Sequence, residues 1–214
     1  MEIIDSFFEY SIIALIVINT SLFVSSYNRN RKSPSYKLLF LHLFCALIIN
    51  LSVFILAKFN INNLYFSHYY FISQFVILSL FYRSQFKKAQ KLIVLILLVV
   101  VLIILAIQYS IWPELYFKFN TIEVFITSFP IIVYSVIYLF NSLSKSSKYM
   151  YINTGVLIYI TTSTLIFILG DYLSSIINSK GVGNIWLINK ILYVIYLTLI
   201  FTEWWKNFRI VKNK

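Results

Sequence analysis

Two histidines, one cysteine and seven acids are the usual metal-ligating and acid–base side chains of this 214-residue chain, so their placement bounds its chemistry. His42 falls near one end of an apolar run and His68 near the opposite end of the next, which separates the two by much of a membrane thickness, of order 20 Å. They cannot share a metal ion. Beyond the N-terminal Glu2, Asp5 and Glu9, no carboxylates pair at helical spacing either, so neither a metal nor any other cofactor is expected. Cys45 lies inside an apolar run and reads as a small packing residue. A serine nucleophile would need a base, and His68 with Glu123 or Asp171 is the arrangement that could supply one. No nucleophile motif accompanies it, which leaves an intramembrane lipid-modifying enzyme as the third of three readings.

The polar residues do gather at one depth. Glu9, His68, Glu123, Asp171, Asn189 and Lys190 all stand within about two turns of helix ends on the same side, where they can form one polar layer. Tyr70 and Gln74 follow His68 along one helix, one turn apart, and Tyr193 follows Asn189 along another. His68, Tyr70, Gln74, Glu123, Asp171, Asn189, Lys190 and Tyr193 are therefore the candidate ligand-binding set. Ionisable groups inside membrane segments are expensive and are usually paired or functional, so Lys190 is expected to pair with Glu123 or Asp171. Tyr159, Tyr193 and Tyr196 also fit plain interhelical packing, and Gly155 and Gly170 mark a small-residue face on the same helix as Tyr159. Pro130 frees a backbone carbonyl and favours a kink that can open a cavity.

These residues are held by elements of one kind. Hydrophobic residues make up 60% of the chain and charged ones 12%, with a mean hydropathy of +0.84, values that exclude a water-soluble globule. Apolar segments of about 20 residues recur, without the alternation of a membrane barrel. The expected architecture is all-α, a polytopic membrane protein forming a seven-transmembrane-helix bundle in one domain over 1–214. Its spans are expected near 7–26, 37–58, 65–84, 92–112, 121–142, 152–174 and 186–205. The fourth runs from Leu92 to Ile107 without a polar side chain, so it should face lipid.

Lys and Arg set the orientation, because positively charged loops stay in the cytoplasm. Fourteen fall on one side of this arrangement and four on the other, alternating loop by loop. The N-terminus is accordingly expected outside and the C-terminus in the cytoplasm of a bacterial inner membrane. The first segment follows Glu2, Asp5 and Glu9 rather than a basic stretch, so it is not read as a cleavable signal. The formal charge of +11 is divided among juxtamembrane patches, which suits a lipid bilayer as partner and not nucleic acid.

The segments HYYFISQFVILSLFY (68–82), INTGVLIYITTSTLIFILGDYL (152–173) and IWLINKILYVIY (185–196) resemble uncharacterised small seven-helix bacterial integral membrane proteins. The resemblance implies a family without assigned chemistry, in some cases found alongside signalling kinases, and hence a membrane signalling partner. It associates the third helix with a His-x-Tyr start, matched here by His68 and Tyr70, and then an acid, where this chain has Gln74. Microbial rhodopsins share a lysine in the seventh helix, but Lys190 stands at the helix mouth and the third helix has no counter-ion carboxylate. The expectation is a sensor or signalling-accessory protein with an outward-facing pocket for a small or lipidic ligand, lined by helices three, five, six and seven. A small-solute transporter is the alternative.

Overall fold

Chain in hydrocarbon must satisfy its own backbone, and helices do so within one segment. The computed structural model is accordingly all-helical among its described residues, which are 2–143, 148–176 and 179–209, with side chains described for all of these except 2, 171–176 and 179–184. The helices are α1 (Glu2–Ser25), α2 (Tyr27–Asn30), α3 (Pro34–Lys58), α4 (Phe66–Gln85), α5 (Lys88–Ile111), α6 (Thr121–Ser142), α7 (Met150–Ile176) and α8 (Ser179–Asn207). A 3₁₀ turn, Pro113–Phe117, links α5 to α6.

Local chemistry explains several boundaries. Ser33 accepts a hydrogen bond from the Tyr36 amide and Pro34 opens α3, a favourable first-turn arrangement. Asn120 caps α6 by accepting from the Glu123 amide at 3.2 Å. The N-terminus of α7 is capped from α8. There the buried Glu203 carboxylate accepts from the amides of Tyr149, at 2.8 Å, and Tyr151, at 3.0 Å. An anion at that position also meets the positive end of the helix dipole. α8 is longer than the expected span at 186–205, because its polar first residues extend the helix past the apolar stretch. Its 29 residues measure about 44 Å against about 30 Å of hydrocarbon.

Among the described residues, six helices contain stretches long and apolar enough to cross a membrane, in α1, α3, α5, α6, α7 and α8. These make the chain a multi-pass membrane protein in composition and form. α4 has 20 residues but is less apolar, and its place in the bundle explains why. It packs against α3, α5 and α6, burying His68, Gln74, Phe75, Leu78, Phe81 and Tyr82. A helix walled by protein can carry hydrogen-bonding groups that a lipid-facing helix cannot.

Neighbouring pairs α1–α3, α3–α4, α4–α6, α6–α7, α7–α8 and α8–α1 close into a ring. α5 lies outside it, on α4. Leu92, Ile96, Ile103 and Ile107 of α5 are exposed while Val94, Val101 and Leu105 are buried, the division expected of a peripheral helix in lipid.

Candidate functional site

Two separate polar constructions occupy the end of the ring where α1 begins. One is a cavity of about 380 Å³ between α1, α3, α4, α7 and α8, a size suited to a small or lipidic molecule. Its wall is mostly apolar: Ile12 and Ile13 from α1, Ile49 and Val53 from α3, Phe71 from α4, and Phe167 from α7. Its polar groups are Glu9, Asn50, Asn63, Ser67, Asn189 and Lys190, with three tyrosines, Tyr70, Tyr159 and Tyr193, of which the last two stand near the middle of α7 and α8.

The floor is a packed tyrosine layer. The Tyr159 and Tyr196 rings are stacked at 5.5 Å, and Tyr193 lies 4.9 Å from Tyr159. The hydroxyls of Tyr70 and Tyr159 are 3.3 Å apart, and Gln74 donates to Tyr70 at 3.3 Å. His42 Nε2 lies 2.9 Å from the Tyr196 hydroxyl, carrying the layer from α8 across to α3. Beyond it, Asn153 accepts from Tyr82 at 2.7 Å and from Ser135 at 2.9 Å, joining α4, α6 and α7 with all three side chains buried. The cavity is therefore blind in this structure.

The second construction joins α4, α5 and α6. His68 Nδ1 lies 2.9 Å from Glu123 Oε2, and Nε2 lies 3.2 Å from the Tyr116 carbonyl. Tyr109 also donates to Glu123 Oε2, and Asn120 donates to the Tyr109 hydroxyl at 3.3 Å. Both ring nitrogens of His68 thus face acceptors, a set satisfied when each carries a hydrogen. Tyr116 stacks on the imidazole at 5.8 Å. Its hydroxyl, in the turn outside the helices, is 2.7 Å from that of Tyr69, which pushes its pKa above the ordinary tyrosine value and keeps it a neutral hydrogen-bonding group.

The eight candidate residues are accordingly divided. Tyr70, Asn189, Lys190 and Tyr193 line the cavity, and Gln74 stands behind its floor. His68 and Glu123 belong to the other cluster, and the Asp171 side chain lies outside the described residues. Of the two partners expected for Lys190, Glu123 is not met: the ammonium lies 2.8 Å from Asp5 Oδ2, because α1 is a ring neighbour of α8 while α6 is not, and Asp171 lies outside the described side chains. No α6 residue reaches the cavity, so Pro130 does not shape it. The apolar contributions of α1 and α3, chiefly Ile12, Ile13, Ile49 and Val53, had no sequence signal, since apolar cavity walls read like lipid-facing residues.

The fold and site define a class, that of a polytopic helical membrane protein with a blind cavity in one half of a helix ring. No family model, curated protein or solved structure matches the chain.

Proposed function

We propose that this chain is a seven-span protein of a bacterial inner membrane, with its N-terminus outside and its C-terminus in the cytoplasm, that binds a small or lipidic ligand and signals its presence to a membrane partner. The blind cavity carries the reading. Its apolar walls and sparse polar groups suit a molecule with an apolar body and one polar end. α4 supplies the seventh span, its lower hydropathy being compatible with its enclosure by α3, α5 and α6. The orientation is supported by the charge bias and by an open groove at the opposite end of the bundle, where Arg83, Lys88 and Lys91 lie beside Leu92 and Leu95. Such a groove suits anionic lipid of the cytoplasmic leaflet.

Transport would require a polar path past the tyrosine layer, and the polar groups beyond it, Tyr82, Ser135 and Asn153, are buried and bonded to one another. Binding is favoured over transport for that reason. Catalysis through His68 is disfavoured because Glu123 and the Tyr116 carbonyl already engage both its ring nitrogens.

Native mass spectrometry of protein released from mild detergent tests the reading. Wild type should retain one amphiphile per chain, and Val53→Trp, which fills the cavity from α3, should lose it while keeping its helical circular dichroism. Equal retention by the two proteins would count against the cavity as the site.

A further inference from the structure

The cavity offers acceptors and aromatic faces but little free positive charge. Glu9 and Lys190 are the two charged side chains that line it. Lys190 is engaged by Asp5 at 2.8 Å, whereas Glu9 has no ion-pair partner among the described residues. An anionic headgroup would have to displace Asp5 and then sit beside Glu9. A cation meets neither obstacle. Asn189 lines the cavity and its Oδ1 is buried without a hydrogen-bond partner among the described residues; turned toward the cavity, that acceptor would meet a donor that a ligand brings. Five phenylalanines and three tyrosines complete the lining, and their π faces attract ammonium groups. The Phe54 ring of that lining already has the Lys58 ammonium 4.4 Å from its centre.

Resting on the reading of the cavity as a ligand site, we infer that its ligand is an alkylammonium amphiphile bearing at least one N–H, held by Glu9 and the Asn189 carbonyl with its chain against the apolar wall. Each part of the lining has a task. Glu9 selects the charge, Asn189 selects an N–H over a fully alkylated nitrogen, and Ile12, Ile49 and Val53 accept the chain. The amine can belong to a free amphiphile or to an aminolipid headgroup, since the recognised chemistry is the same.

The test measures binding of dodecylammonium, dodecyltrimethylammonium, dodecanol and dodecanoate to the full chain in phosphatidylglycerol nanodiscs, by thermal shift and native mass spectrometry. Dodecylammonium should bind at least ~10-fold more tightly than the other three, an advantage worth about 1.4 kcal/mol. Glu9→Gln should remove its advantage over dodecanol, and Asn189→Leu its advantage over the trimethyl compound. Replacing half the lipid by phosphatidylethanolamine should weaken dodecylammonium binding if the aminolipid is the occupant and leave it unchanged if a free amine is; the inference survives either result. If all four probes bind alike and Val53→Trp removes them together, the amine inference is overturned while the cavity reading stands. If no binding responds to Val53→Trp, both fall. Circular dichroism of each variant separates lost binding from lost folding.

Discussion

Nδ1 of His68 lies 2.9 Å from Oε2 of Glu123, and the two side chains are almost wholly sealed from solvent. The pair joins α4 to α6, and Tyr109 on α5 meets the same carboxyl oxygen, so three helices converge on one buried carboxyl group. Removing one member leaves the other without its compensation, which is the costly way to break a buried pair. His68→Ala should therefore lower stability by about 3 kcal/mol, read as a fall in melting temperature, and leave ligand binding per folded molecule unchanged. The paired change His68→Phe with Glu123→Leu should cost less than either single change. Full stability of His68→Ala would show that the cluster is not a brace.

Gly155 and Gly170 lie on one helix but in different surroundings. A Cβ placed on Gly155 would come within 2.9 Å of the Tyr196 ring and 3.3 Å of Leu199, whereas at Gly170 the nearest atom, in Trp186, is 4.0 Å away. Gly155→Ala should destabilise the protein by ~1–3 kcal/mol by pushing α8 and the tyrosine layer away from α7. Gly170→Ala should be tolerated. Equal melting temperatures for the two variants would contradict the close α7–α8 approach.

Glu203 bonds the Tyr149 and Tyr151 amides, and Asn207 donates to the same carboxylate. Tyr149 itself adopts φ 76°, an uncommon backbone for a bulky residue, next to these contacts. Glu203→Gln should cost about 1 kcal/mol through the lost charge and one weakened cap. Glu203→Leu should cost more, about 1–3 kcal/mol for each amide left unpaired. Faster hydrogen exchange confined to the first turn of α7 is the expected signature, and unchanged exchange there would rule out the capping role.

Cysteines introduced at Lys118 and Lys87 test the proposed orientation, since both positions are exposed in connecting segments at opposite ends of the bundle. An impermeant thiol reagent applied to intact cells should label Lys118→Cys and spare Lys87→Cys, with Cys45 replaced by Ala in both. The reverse pattern would invert the topology. Labelling of both from outside would mean that an even number of spans, not an odd one, lies between them.

The long helices were legible from residue order because membrane length and hydropathy are local properties, fixed by about 20 consecutive side chains. So was the peripheral place of α5, whose apolar stretch from Leu92 to Ile107 left it no polar face to bury. Ring order was not legible, since a polar stripe shows that a helix face meets protein without naming which helix. Only the tertiary structure decided that Lys190 meets Asp5, that Glu123 meets His68, and that His42 reaches across to Tyr196. It also decided where the cavity lies, because Ile12, Ile49 and Val53 have the same chemistry whether they face lipid or line an interior wall. Hydropathy measures what a side chain avoids; packing determines what it meets.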